Sequence, residues 1–336
     1  DLHSHTHSFP TRRSSDLEAT LQLVKTWKPN SIAGNTTTVS ASGLTNSATA
    51  TSGLSTATAT GNSTNDGATG TKVTVYAGEV ATITETFGAG TTSGNYSSSL
   101  ACTGNGTALS GDKLTINAAD TAIVCTMTNT RKEATLQLVK TWKPNSIAGD
   151  TTTVSASGLT NSATATSGLS TATATGNSTN DGATGTKVTV YAGEVATITE
   201  TFGAGTTSGN YSSSLACTGN GTALSGDKLT INAADTAIVC TMTNNPKAPT
   251  ITLTKVSTDG VGSFSFTGDN GWASQTITTE TSGSGVAGTA LTLTAAGTAT
   301  TITETAVAGY AVTAINCTGI GASTNATYDL PNRKVT

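Results

Sequence analysis

The side chains able to do chemistry in this sequence are few and regularly placed. Five cysteines stand at Cys102, Cys125, Cys217, Cys240 and Cys317, and the three histidines are confined to His3, His5 and His7. A third group emerges when residues are read by parity. Side chains along a strand alternate between its faces, which puts Leu21, Leu23, Lys25 and Trp27 on one face, Ile83, Glu85 and Phe87 on another, and Ile123, Cys125, Met127 and Asn129 on a third. A lysine, a glutamate and an asparagine thus fall in phase with apolar rows. The set recurs as Lys140, Glu200 and Asn244, and in part as Lys255, after Ile251 and Leu253, with Glu304, after Ile302. A buried charge costs several kcal/mol unless paired, so these residues either neutralise one another or reach water at the strand ends.

The histidines contribute nothing to this chemistry. Residues 1–17, DLHSHTHSFPTRRSSDL, lack strand-like alternation, and HSFPTRRSSDL is similar to one reading frame of a sequencing-adapter oligonucleotide. Such a segment is set aside as non-native before fold reasoning. No histidine then remains, which removes a Ser-His-Asp triad, a Cys-His dyad and the commonest zinc sites. The expectation is a protein that is not an enzyme and holds neither metal nor cofactor. The cysteine pairs Cys102/Cys125 and Cys217/Cys240 share one spacing, far from that of a CxxC metal site. They read as one disulfide per repeat in an oxidising compartment. The alternative is buried free thiols, since free cysteine is a common core residue. Cys317 is left unpaired.

These residues need elements to position them, and composition names the kind. Only 35% of residues are hydrophobic and 11% charged; threonine, serine, glycine, alanine and asparagine dominate the rest. Thr and Val favour the pleated backbone, and Gly and Asn supply turns. No segment has the 3.6-residue period of an amphipathic helix. From Glu18 the sequence EATLQLVKTWKPNSIAG recurs from Glu133, and the copies stay in step to Asn129 and Asn244, differing only at Asn35 against Asp150. A diverged third copy begins near Ala248: ITLTKVS from Ile251 matches LQLVKTW, TITET from Thr301 matches TITET from Thr82, and NCTG from Asn316 matches ACTG. Each full copy reads as about seven strands, 19–28, 36–43, 47–60, 71–77, 80–87, 96–103 and 113–129 in the first, the last broken near Asp120. Seven short strands in roughly 100 residues are the signature of a β-sandwich. The expected architecture is all-β. It comprises the non-native segment 1–17, tandem sandwiches over 18–132 and 133–247, and a third, C-terminally truncated one over 248–336 whose missing strand would hold the partner of Cys317. The short linkers NTRKEA and NNPKAP predict stiff stacking.

ITLTKV, then AGTATTITETAVAGY, then a last strand ending in Asn-Thr or Asn-Asn before a lysine resemble the collagen-adhesin B-type repeat, a prealbumin-like sandwich of bacterial surface proteins. The resemblance implies that the first-strand lysine and last-strand asparagine join as an intramolecular isopeptide assisted by the acid of the TET motif. Carried over, the sets are Lys25, Glu85 and Asn129, then Lys140, Glu200 and Asn244, with Lys255 and Glu304 as a partial third. Burial lowers a lysine pKa toward the neutral, nucleophilic amine, and raises that of a carboxyl so that it can shuttle protons.

The function expected is a structural stalk of a secreted or cell-surface bacterial adhesin-like protein, spacing a distal binding module. The partners expected are neighbouring repeats and extracellular host or matrix ligands. The alternative is a multivalent binder of glycan, host protein or ice through Thr-rich faces such as SATATSG and STATATG, from Ser47 and Ser55. A solvated strand face explains those runs as well. Asn65-Asp66-Gly67 and Asp259-Gly260 lack the several oxygen ligands calcium requires and read as turns. The glycine cluster after Phe87 precedes no helix and cradles no phosphate. Trp27, Trp142 and Trp272 read as core. A net charge of -4 without a basic block gives no footprint for nucleic acid. No apolar run approaches the roughly 18 residues of a bilayer span, so an anchor is expected outside these residues.

Overall fold

The computed structural model describes residues 17–53, 67–147, 149–161, 163–168, 182–320 and 326–336. The three histidines, the STATATG run and Asn65-Asp66 lie outside them. The first unit contains β1 (Glu18–Trp27), β2 (Thr36–Ser42), β3 (Ala48–Gly53), β4 (Gly67–Thr69), β5 (Val73–Tyr76), β6 (Val80–Phe87), β7 (Tyr96–Thr103), β8 (Lys113–Thr115) and β9 (Ala122–Arg131). They form two sheets. One runs β4-β1-β9-β7, with β5 also on β1, and the other runs β3-β2-β6-β8. Inward-facing Leu21, Leu23, Val39, Ala41, Val75, Ile83, Leu114 and Ile123 fill the space between them. The result is a sandwich whose inner faces are the apolar halves of alternating strands.

The parity reading holds through β1, where every second residue from Ala19 to Trp27 is buried, and through β9. The expected strand 71–77 is β5, and a short strand that was not expected, β4, precedes it; both lie antiparallel to β1. The stretch 113–129 breaks at Asp120, a buried residue whose Oδ1 accepts Gly106 N at 2.8 Å and whose Oδ2 accepts Asn117 N at 2.8 Å. This carboxylate satisfies the amides of a turn that leaves the sheet, so β8 can join one layer and β9 the other.

The defining pairing is parallel: β9 lies beside β1, joining residues about a hundred positions apart, with Leu21 opposite Ile123 and Trp27 opposite Asn129. The second unit repeats this arrangement in β10 (Glu133–Trp142), β11 (Thr151–Ser157), β12 (Ala163–Gly168), β13 (Gly182–Thr184), β14 (Val188–Tyr191), β15 (Val195–Phe202), β16 (Tyr211–Thr218), β17 (Lys228–Thr230) and β18 (Ala237–Pro246). Its sheets run β13-β10-β18-β16 and β12-β11-β15-β17.

The third unit has β19 (Thr250–Ile251), β20 (Thr254–Val256), β21 (Ser263–Gly268), β22 (Gln275–Thr278), β23 (Gly285–Ala287), β24 (Leu291–Thr292), β25 (Ile302–Glu304), β26 (Tyr328–Asp329) and β27 (Lys334–Val335). One sheet runs β22-β21-β25-β27-β26, while β19 pairs β24 and β20 pairs β23. Here β27 sits on β25 as β8 sits on β6. Among the described residues no strand takes the place of β9 beside β19 and β20. The protein is all-β, built as tandem sandwich-like domains. Among the described residues no helix is long and apolar enough to cross a membrane.

Candidate lysine, glutamate and asparagine site

Parallel pairing of β1 with β9 sets Lys25 opposite Met127. Asn129, two residues further on, therefore shares the core face with Lys25 on the neighbouring strand. Glu85 approaches from β6 in the opposing sheet. Lys25 and Asn129 are 1% and 0% exposed, which places both away from water rather than at a wet rim. Lys25 Nζ stands 3.5 Å from Glu85 Oε1 and donates to the carbonyls of Thr26 at 2.8 Å and Met127 at 3.3 Å. It also lies 4.5 Å from the centre of the Trp27 ring. Asn129 Nδ2 donates to the same Glu85 Oε1 at 2.9 Å. One carboxylate oxygen thus faces both the amine and the amide. Burial drives the Lys25 pKa down to about 8, against a smaller upward pull from Glu85. An appreciable fraction of the amine is therefore neutral near pH 7, and the neutral form is the nucleophile.

Ser98, opposite Asn129 on β7, completes the site. Its Oγ is 2.6 Å from Glu85 Oε2 and 2.9 Å from Asn129 Oδ1. A hydroxyl has one proton and so donates to one of these at a time. Ser98 thus bridges the Glu85 carboxylate and the Asn129 amide carbonyl. Thr37 Oγ1 holds the other carboxylate oxygen at 3.0 Å. Neither residue was among the sequence candidates. Ser98 shares parity with Tyr96, Leu100 and Cys102, so the rule that exposed Lys25 applies to it as well.

The second unit reproduces the arrangement except for the asparagine-to-glutamate hydrogen bond. Lys140 Nζ is 3.6 Å from Glu200 Oε1, and Ser213 Oγ lies 2.6 Å from Glu200 Oε2 and 2.9 Å from Asn244 Oδ1. Burial lowers the Lys140 pKa to about 8 against the pull of Glu200. Asn244 Nδ2 is buried without a hydrogen-bond partner among the described residues. In the third unit Lys255 Nζ forms a direct ion pair with Glu304, 3.0 Å from Oε1 and 2.8 Å from Oε2, and lies 4.2 Å from the Phe264 ring centre. No asparagine joins them, because no counterpart of β9 is present among the described residues.

The cysteines lie on the same strands. Cys102 of β7 is directly opposite Cys125 of β9, and the two form a disulfide; Cys217 and Cys240 do the same between β16 and β18. Strand β9 therefore carries a covalent tie to one neighbour and the asparagine facing the other. Cys317 is free and partly buried. Among the described residues no group of three or more His, Cys, Asp or Glu side chains is arranged to hold a metal. Trp27, Trp142 and Trp272 are core residues, and Asp259 adopts a left-handed turn conformation with φ 59°. Outward hydroxyls of the Thr-rich sheet satisfy one another across strands, as in Thr38 with Thr51 and Ser40 with Thr84, both at 3.1 Å. Such cross-strand pairs are ordinary sheet stabilisation.

Residues 251–336 match the family model of a prealbumin-like fold domain. The C-terminal unit is a prealbumin-like domain. It begins at the strand pair holding Lys255 and contains the Lys255–Glu304 ion pair, so a lysine and glutamate of the site fall within the matched residues. Similar solved structures include the major pilin protein T-13 of Streptococcus pyogenes, at 12% identity and a TM-score of 0.34, covering 68% of this chain and 97% of the pilin. Another is the TIE protein of Bacillus anthracis, at 11% identity and a TM-score of 0.41, covering 87% of this chain and 46% of that protein. No curated protein matches the chain.

Proposed function

We propose that the chain is a structural stalk region of a secreted or cell-surface bacterial adhesin-like protein, in which each complete repeat seals itself with an internal isopeptide bond. Its units are 18–132, 133–247 and 248–336, preceded by the non-native segment 1–17. The observation that carries the reading is the placement, in two successive repeats, of a buried lysine and a buried asparagine on adjacent parallel strands with a glutamate of the opposing sheet beside the lysine; in the first repeat amine and amide face one carboxylate oxygen. Neutral Lys25 Nζ attacks Asn129 Cγ, and Glu85 moves the amine proton toward the amide nitrogen. The Cγ–Nδ2 bond breaks, ammonia leaves and a secondary amide remains. The same steps join Lys140 to Asn244. Each event happens once per repeat, so no turnover follows. The disulfides support an oxidising, extracellular setting, and the short linkers, Lys132 between β9 and β10 and residues 247–249 between β18 and β19, support a stiff array.

Intact mass before and after reduction tests this directly. The expected mass is lower than the sequence mass by one ammonia for each complete repeat, with two disulfides opening on reduction. A mass without ammonia loss would remove the crosslink, and free thiols in both repeats would remove the extracellular setting.

A further inference from the structure

The junction between the first and second units is built with specific contacts. Only Lys132 separates β9 from β10. Its N–H donates to Asn95 O at 2.9 Å in the first unit, and its carbonyl accepts Ala192 N at 2.9 Å in the second. Arg131, 7% exposed, donates from Nε to Ala192 O at 2.7 Å and from Nη1 to Asn30 O at 2.9 Å, and lies 5.7 Å from the Tyr191 ring centre. Asn30 Nδ2 donates to Tyr191 Oη at 2.7 Å. Ile32 and Asn95 pack on Gly193, where an added Cβ would lie 3.2 Å and 2.6 Å from them. Glu194, held by Thr160 and by the Tyr191 amide, supplies negative charge near the guanidinium.

The second junction keeps half of this. Lys247 N donates to Asn210 O at 2.8 Å, Ala296 N donates to Lys247 O at 2.8 Å, and Ile147 and Asn210 pack on Gly297. The other half changes as a set: Pro246 stands for Arg131, Ala295 for Tyr191 and Thr298 for Glu194. A common backbone clip is thus combined with a key that is cationic where the receiving face has tyrosine and glutamate, and neutral where it has neither.

The first unit carries a receiving face of the charged type. Tyr76, Ala77, Gly78 and Glu79 repeat Tyr191 to Glu194, and Glu79 is held by the same contacts, to Thr45 and the Tyr76 amide. The clip acceptor is taken by Leu17, whose carbonyl accepts Ala77 N at 3.0 Å. Among the described residues the rest of the face is open: a Cβ on Gly78 would meet nothing within 4 Å, and Tyr76 and Glu79 are partly exposed where Tyr191 and Glu194 are buried. We propose that Tyr76–Glu79 is a docking face for the end of a second copy of the first repeat, formed by Asn30, Ile32, Asn95 and Arg131. Heterologous, head-to-tail contacts of this kind extend as open arrays rather than closing. The inference stands whether or not the repeats serve as a stalk.

Tyrosine nitration by tetranitromethane tests it, with Thr86→Ser on the exposed face as a mass tag that separates the first unit's peptide from its twin. In the full chain Tyr76 reacts about tenfold or more faster than Tyr191, and Arg131→Pro brings Tyr191 up toward the Tyr76 rate. Inserting another copy of residues 18–132 directly ahead of Glu18 slows Tyr76 to the Tyr191 rate. The same insertion with proline in place of its terminal arginine leaves Tyr76 fast. Unchanged Tyr76 reactivity behind the arginine-ended copy overturns the docking face. Equal protection by arginine-ended and proline-ended copies, or a Tyr191 still protected after Arg131→Pro, overturns the key.

Discussion

A lysine held at a depressed pKa makes stability depend on pH, but only while it remains an amine. In a chain carrying Asn129→Ala and Asn244→Ala, Lys25 and Lys140 have no amide to attack and stay titratable. Their folded pKa values are about 8, against an ordinary value of 10.5. Between those values the unfolded chain holds the proton and the folded chain does not, so raising the pH favours the folded state. Below pH 8 the full penalty applies, and through the window up to 10.5 it disappears. Integrated from pH 7.5 to 9.5, the gain is about 2 kcal/mol for each lysine, which moves the urea midpoint of each repeat upward by about 1 M. Stopping at pH 9.5 keeps the opposing contribution of the buried tyrosines, whose pKa values are raised, to about a few tenths of a kcal/mol. Urea titrations at the two pH values, with disulfides intact, measure the shift. Adding Lys25→Met and Lys140→Met to the double variant should abolish it. The unsubstituted chain should show no such rise, because an amide nitrogen does not titrate in this range. The reasoning is refuted if the double variant is flat across the interval, or if the unsubstituted chain rises with it.

Three other substitutions probe separate parts of the structure. Ser98→Ala removes the hydroxyl between Glu85 and the Asn129 carbonyl, and intact mass followed over time after synthesis should show ammonia loss from the first repeat lagging behind the second. Gly104→Ala places a Cβ 1.9 Å from Ala122 O at a φ of +77°, and the combined clash and left-handed strain should cost about 2–4 kcal/mol in denaturant unfolding of the first repeat. Asp150→Asn acts on Tyr211, whose pKa is raised by burial and by its hydrogen bond to Asp150 at 2.5 Å. Spectrophotometric titration should show that tyrosine ionising at lower pH in the variant, close to Tyr96, which already faces Asn35.

The sequence was most readable where a rule of period two applies to a single strand. Alternation located Lys25 in β1 and Asn129 in β9, and the repeated cysteine spacing pointed to the bridge between β7 and β9. Asp120 was readable as a break because an aspartate interrupts an otherwise strand-forming run. The parallel contact of β1 with β9 was not readable, since it joins opposite ends of a repeat and no local pattern encodes a pairing at such separation. Ser98 escaped for a different reason: it sits within a run of serines that resembles a solvated face, and only its opposition to Asn129 gives it a task. Arg131 was read as linker, because a cation between strands gives no hint that the next repeat will bury it.

The direction of β9 relative to β1 also sets how a repeat would bear load. Tension along the array enters the first unit at Glu18, the start of β1, and leaves at Arg131, the end of β9. Parallel strands pulled from those opposite ends are sheared, so their hydrogen bonds resist together rather than opening one at a time. With Lys25 joined to Asn129 as proposed, the force passes along β1 to Lys25, crosses to Asn129 and exits two residues later. Everything between positions 25 and 129, the disulfide and nearly all of the core included, then forms a closed loop outside the tensile path. Extension of such a unit is limited to the few residues at its two ends, however hard the chain is pulled.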